Sequence, residues 1–288
     1  MLQNLGLSTS YFSARGFSIY DSVKRAYELG FRLIELGANH SLEGNLFATI
    51  NNIRHDFPDA TFTQHCFFPP VLGNFFSNSA QGLSNENQQV IDAIFKAAKI
   101  LNSRIISFHT GLNSTFTYKG ISKQWGGFKE FVSVDKIPQP KALNNMKEFL
   151  GLMLIKAKEN HLKVALENII GWEGTSTTLT NFSEFENFLN EFPDLNFLFD
   201  FGHGYIVHKD DCYKFFDFGP RIIEMHIDDV NQKLHDHRVL GQGILNLDKM
   251  FKGIKKLAPM PILILEHSAE VTEQEILGEV KLVEKYLG

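Results

Sequence analysis

A chain of 288 residues with 43% hydrophobic content is long enough for one large core, and its net charge of −5, from 28 Lys and Arg against 33 Asp and Glu, offers no general attraction to nucleic-acid phosphates or an anionic membrane. Its apolar stretches are short and broken by charge, and Met1-Leu2-Gln3-Asn4 opens without the basic and apolar regions of a secretory signal, so the expectation is a cytoplasmic protein without membrane contact. Cys66 and Cys212 are the only cysteines, lack CxxC spacing, and read as packed or incidental thiols rather than a disulfide scaffold.

In chain order, the first strand is expected near Leu2 to Ser8 and the first helix over Phe17 to Gly30. A strand at Arg32 to Leu36 precedes a helix at Leu42 to His55, and a strand at Ala60 to His65 precedes one at Ser84 to Leu101. The fourth strand, Arg104 to His109, leads into a connection of some thirty residues from Thr110 to about Pro140, well beyond the usual two to six. Its aromatic residues, among them Phe116, Tyr118, Trp125 and Phe131, suggest a lid or pocket wall. Helix Lys141 to His161, strand Lys163 to Glu167, helix Phe182 to Phe192 and strand Asn196 to Asp200 follow. The chain then reads as helix Cys212 to Phe218, strand Ile222 to His226, helix Leu247 to Leu257, strand Pro261 to Glu266 and helix Thr272 to Leu287. Eight alternations imply a parallel sheet, and the count favours closure into a (β/α)8 TIM barrel of the α/β class, one domain over residues 1–288. Neither GxGxxG nor GxxxxGK[ST] occurs to support an open nucleotide-binding sheet.

Six of the eight strands end in a residue that can bind a metal: His65, His109, Glu167, Asp200, His226 and Glu266. Asp, Glu and His fill about one position in seven, so six such ends point to a site at the C-terminal mouth, where barrel enzymes carry their chemistry. Singly, each has a plainer reading, the carboxylates as helix N-caps or solvated charges and the histidines as hydrogen-bonded core groups. Together, converging carboxylates need a cation to offset their desolvation. Asp200-Phe201-Gly202-His203 sets His203 immediately beyond Asp200, and His235-Asp236-His237 precedes Gly241-Gln242-Gly243. Asp228, Asp229, His235 and Asp236 read as polar surface loop, whereas His203 and His237 read as site residues.

With these motifs, from Leu5-Gly6-Leu7-Ser8 through Gln64-His65, Phe108-His109-Thr110-Gly111, Leu166-Glu167-Asn168 and Met225-His226-Ile227-Asp228-Asp229 to Leu265-Glu266, the chain resembles the xylose isomerase-like barrel superfamily. Within it, the similarity is to the sugar isomerase and epimerase group related to endonuclease IV-type apurinic endonucleases. The epimerase resemblance implies one divalent ion on Glu167, Asp200, His226 and Glu266, with Glu167 and Glu266 also moving protons. An ion on a substrate carbonyl and its neighbouring hydroxyl acidifies the carbon between them, so carboxylates can remove and return its proton through a cis-enediolate. Three carboxylates and an imidazole suit Mn²⁺, Mg²⁺ or Co²⁺. Glu173, in E-x5-E, fits the epimerases, whereas His237 falls where many have a substrate-contacting Arg. The endonuclease resemblance implies a zinc cluster that also uses His65, His109, His203 and His237, although His235 stands where that family has Asp. The expected function is therefore a metal-dependent isomerase or epimerase of a sugar or sugar phosphate, compatible with a homo-oligomer. The alternatives are a zinc phosphodiesterase with a nucleic-acid substrate and a non-catalytic binding barrel.

Overall fold

The computed structural model describes residues 2–73, 75–121, 129–171, 174–233 and 237–288. Strands β1 (Leu5–Ser8), β2 (Leu33–Leu36), β3 (Thr61–His65) and β4 (Ile105–His109) alternate with helices α1 (Ser10–Ser13), α2 (Ile19–Glu28), α3 (Leu46–Asp56) and α4 (Asn85–Leu101). An antiparallel pair, β5 (Ser114–Ile121) and β6 (Lys129–Lys136), interrupts the alternation before α5 (Gln139–Glu159). There follow β7 (Lys163–Glu167), α6 (Phe182–Glu191), β8 (Leu195–Asp200), α7 (Phe201–His208), β9 (Ile222–His226), α8 (Leu247–Ile254), β10 (Ile262–Leu265) and α9 (Glu273–Leu287). Eight parallel strands close a ring in the order β1-β10-β9-β8-β7-β4-β3-β2, and pairing of β1 with β2 completes the (β/α)8 TIM barrel. The helix expected at Cys212 to Phe218 is instead 3₁₀, part of Lys209–Arg221, which runs on from α7 and is broken by a kink at Gly219.

Side chains alternate along each strand, so one set lines the barrel and the other meets the helices. The outward set is apolar and explains the abundance of phenylalanine. Phe197 lies 5.3 Å from Phe185 and 5.5 Å from Phe215, and Phe199 lies 5.4 Å from Phe215, between ring centroids. Inside, Ile105, Ala165 and Leu198, packed by Ile223 and Ile262, plug one end of the barrel. The inward positions nearer the mouth are polar: Glu35 pairs in register with Thr63, and Asp200 with His226.

Local sequence sets several helix starts. Asn181 with Glu184 and Thr272 with Glu275 form reciprocal capping boxes that satisfy otherwise unpaired N–H groups. Asp200 ends β8 and also caps α7, its Oδ1 accepting the His203 N–H at 2.6 Å. Beyond β9, the Asp229 carboxylate accepts four backbone N–H groups, from Val230 (2.8 Å), Gly241 (2.9 Å), Gly243 (3.0 Å) and Leu245 (3.1 Å). Gly241 has φ 86°, and a Cβ at Gly243 would strike the Asp229 carboxylate, which accounts for both glycines of Gly241-Gln242-Gly243. Asp228 and Asp229 are thus buried, contrary to the expected surface loop.

The long connection after β4 forms an antiparallel strand pair, and Trp125 lies outside the described residues. Its base is held by loops from the mouth side. Asn78 Nδ2 donates to the Leu112 and Ser114 carbonyls at 2.7 and 2.9 Å, and the Thr178 N–H donates to Gly111 O at 2.7 Å. Phe76 sits 4.5 Å from Phe116 and 5.2 Å from Phe131. Lys129 reaches across from β6: its N–H donates to Asn39 Oδ1 at 2.7 Å and its Nζ to the carbonyls of His40 and Gly73, both at 3.0 Å. Burial depresses the Lys129 pKa, and the two carbonyls compensate for the lost hydration.

Removing those Nζ bonds with Lys129→Ala is expected to speed hydrogen exchange in 114–121 and 129–136 while the barrel strands stay protected; unchanged hairpin protection would contradict this anchoring. Asp229→Ala leaves four N–H groups without their charged acceptor and is expected to cost roughly 3–5 kcal/mol in denaturant unfolding.

Candidate metal centre

Strand parity brings the inward residues at the upper ends of β3, β4, β7, β8, β9 and β10 to one mouth. His226 stands at the middle. Its Nδ1 lies 2.9 Å from Glu266 Oε2, 3.6 Å from Asp200 Oδ2 and 3.7 Å from Glu167 Oε1. Asp200, His226 and Glu266 offer ligand atoms within 4.8 Å of one another, and Glu167, Asp200 and His203 form an adjoining trio. Glu167 is surrounded by imidazoles: His203 Nδ1 approaches Oε1 at 3.3 Å, while Nε2 of His65 and of His109 approach Oε2 at 3.1 and 3.2 Å.

Behind His226 stands Glu35 on β2, fully buried, its Oε2 accepting Nε2–H at 2.9 Å. That bond engages Nε2 and turns Nδ1 toward the carboxylates. Both oxygens of Glu167, Asp200 Oδ2 and His226 Nδ1 are buried with no directed hydrogen bond among the described residues. Buried carboxylate oxygens converging with an imidazole nitrogen form a donor set for a divalent cation, and the residues present fit one.

The electrostatics agree with a site built for positive charge. Burial alone would depress the His226 imidazole, but Glu35 and Glu266 outweigh it and push its pKa well up. Burial would likewise raise Glu167 and Glu266. His109 and His65 instead hold Glu167 well below the usual carboxylate range, and His226, with His237 and His65, does the same for Glu266. For Glu224, one inward step below His226, burial and the nearby Glu35 outweigh His226, Thr63 and Ser107 and push it up to about 8, so it is mainly a neutral acid at pH 7.

His203 is held by its Nδ1, 3.1 Å from Asn168 O and 3.4 Å from Asp200 Oδ2. His237, at φ 54°, is fixed by Asp228, whose Oδ2 lies 2.9 Å from Nδ1 and accepts the His237 N–H at 2.6 Å. Gly202 leaves room for that carboxylate, which a Cβ there would strike. His65, His109, His203 and His237 therefore all reach the mouth, whereas Glu173 and His235 lie outside the described residues. Sequence reasoning passed over Glu35, Asp228 and Cys66. Cys66 is no incidental thiol: its Sγ lies 2.7 Å from His65 Nε2 and 3.0 Å from His109 Nε2. The signal for Glu35 was a lone carboxylate inside Leu33-Ile34-Glu35-Leu36, a strand otherwise apolar on both faces.

A family described as xylose isomerase-like TIM barrel matches residues 23–284. A protein of Methanocaldococcus jannaschii, described only as uncharacterized, is 22% identical over 274 residues, covering 92% of this chain and 93% of its own length. Among solved structures, a D-tagatose 3-epimerase-like protein is 18% identical with TM-score 0.68, over 98% of this chain and 96% of that one. The IolI protein with a bound zinc atom is 14% identical with TM-score 0.71, over 99% of both chains. At these identities the structural likenesses establish the shared fold.

Because Glu35 orients His226 and strengthens it as a donor, Glu35→Ala is expected to weaken Mn²⁺ affinity ~10–100-fold while the barrel stays folded. Calorimetric titration of the metal-free protein reads this directly, and undiminished affinity would remove Glu35 from the site.

Proposed function

Because the chain belongs to the xylose isomerase-like TIM barrel family, we propose that it is a divalent-metal-dependent isomerase or epimerase acting on a small sugar or sugar phosphate. The observation that carries this reading is the pair of buried glutamates, Glu167 and Glu266, each held in its charged form, both near His226 Nδ1. A metal held by Glu167, Asp200, His226 and Glu266 would polarise a substrate carbonyl and its neighbouring hydroxyl. Mn²⁺, Mg²⁺ and Co²⁺ suit this oxygen-rich set.

The chain's own residues supply the rest. One glutamate takes the proton from the carbon beside the carbonyl, and the other returns a proton to the opposite face in epimerisation, or to the neighbouring carbon in isomerisation. His203 and His237, each fixed by a backbone or carboxylate partner, present ring edges to substrate hydroxyls. The hairpin β5–β6, clasped by the loops after β2, β3 and β7, limits water at the mouth. Glu167 and Glu266 are thus proposed as catalytic residues, and Glu35 and Asp228 as positioning residues. The substrate name of the D-tagatose 3-epimerase-like neighbour supports testing ketohexoses first.

In deuterated water with Mn²⁺, the protein is expected to incorporate deuterium at carbon 3 of D-tagatose or another ketohexose, read by proton NMR. Glu266→Gln and Glu167→Gln should each slow this by ~10²–10⁴-fold. If no ketose, aldose or sugar phosphate exchanges and the protein nicks abasic DNA with Zn²⁺, it is a phosphodiesterase instead. If it does neither yet binds a sugar, it is a binding barrel.

A further inference from the structure

At the end of the barrel opposite the mouth, where the strands begin, lies a cavity of about 440 Å³. Ile105, Ile223 and Ile262, which belong to the apolar plug, form its roof, and Pro259, Met260 and Pro261 form one wall. The other wall is basic and carries Arg104, His161 and Lys163. We propose that this cavity binds a small organophosphate, its phosphate on the three basic side chains and its organic part against the isoleucines and Met260. The site is separate from the metal centre and stands whether or not the mouth isomerises a sugar.

Strand pairing brings the charges together. β7 lies beside β4 with Lys163 in register with Ile105, and the Lys163 N–H donates to Arg104 O at 3.3 Å. Lys163 is one inward step below Ala165 of the plug, so its side chain starts beneath the plug rather than among the surrounding helices. His161 lies in the turn after α5, in left-handed backbone at φ 56°. On the facing side, Asn4 Nδ2 donates to Pro261 O at 3.1 Å and the Leu263 N–H donates to Asn4 O at 2.8 Å, which fixes the start of β10 and with it the apolar wall.

The charges call for an anion. No Asp or Glu lines the cavity, and none of the three basic side chains has an ion pair or hydrogen bond among the described residues. Cations elsewhere on the surface are paired: Arg25 with Glu273 at 2.6 Å, Arg32 with Asp59 at 2.9 Å and Lys147 with Glu191 at 2.7 Å. In a chain of net charge −5, two uncompensated cations and an imidazole on one wall reverse the local sign. Like charges on neighbouring strands repel, and an anion between them removes that cost. The Arg104 fork can take two oxygens of a tetrahedral phosphate, with the Lys163 ammonium and an imidazole N–H left for the third. Ser103, buried in the same wall, has a hydroxyl without a hydrogen-bond partner among the described residues, which an anion oxygen would satisfy. Inorganic phosphate alone would leave the isoleucine roof uncovered. The volume is that of a small-molecule site, so the ligand carries an organic part.

Calorimetric titration of the full-length protein with phenyl phosphate tests the assignment. The protein is kept metal-free, so that the carboxylate-rich mouth repels the probe. Binding at a single site is expected, with inorganic phosphate, phenol and benzoate each binding at least about tenfold more weakly. Arg104→Ala and Lys163→Ala alter exposed side chains and should each weaken phenyl phosphate ~10–100-fold with thermal unfolding unchanged. Arg104→Lys should recover part of the loss. No heat of binding, or affinity that survives both alanine substitutions, overturns the site. Inorganic phosphate binding as tightly as phenyl phosphate overturns the organic part of the ligand, and benzoate binding as tightly overturns the phosphate.

Discussion

The burial of Glu167 is the constraint on which the mouth of this barrel depends. Its side chain is fully buried, and stripping an ionised carboxylate of water costs several kcal/mol unless partners restore the lost solvation. Nitrogen atoms of His65, His109, His203 and His226 stand 3.1 to 3.7 Å from its two oxygens, yet none makes a directed hydrogen bond to it. Those imidazoles come from three other strands and the start of α7, so the carboxylate is stable only if the whole ring of elements closes in register. Asp200 illustrates how closely fold and site are joined. One of its oxygens caps α7 and the other faces the centre, so the N-cap reading and the ligand reading of a strand-end aspartate are both compatible with the same side chain.

The barrel was readable because its signals are local and repeated. Strands such as β7 and β9 fall at their expected residues, since short apolar runs bounded by charge and helical period leave little freedom of register. The hairpin was not readable. β5 alternates over its second half between half-buried and exposed positions, β6 passes from half-buried to exposed along its length, and their order comes from distant groups, Asn78, Asn39 and Gly73, that no window of local sequence contains. α7 was unreadable for a related reason: Phe201-Gly202-His203-Gly204 carries two glycines, poor helix formers whose absent side chains are demanded by Asp228 and Phe199 packed against them.

Reading the last residue of each strand found the histidines and carboxylates that face the mouth, but the relevant property is parity, not position. On β2 the last residue, Leu36, faces the helices, and the inward residue is Glu35, one place earlier. A carboxylate in that position supports His226 from behind and, with Glu224, makes the barrel interior acidic beneath the mouth. Asp228 and Asp229 show the converse difficulty. Adjacent in sequence and equally polar, one organises the backbone of the following loop and the other fixes His237. Nothing in their local sequence separates those tasks.

The groups behind the two central histidines also differentiate the two sides of Glu167. His226 is backed by the carboxylate of Glu35, which draws on its Nε2–H and makes Nδ1 a stronger, more anionic donor among further carboxylates. His65 is backed only by the neutral hydroxyl of Ser107, so it stays an ordinary imidazole, and burial pushes its pKa down despite Glu167. One side is hard and strongly anionic, the other less charged but closed by a sulfur atom.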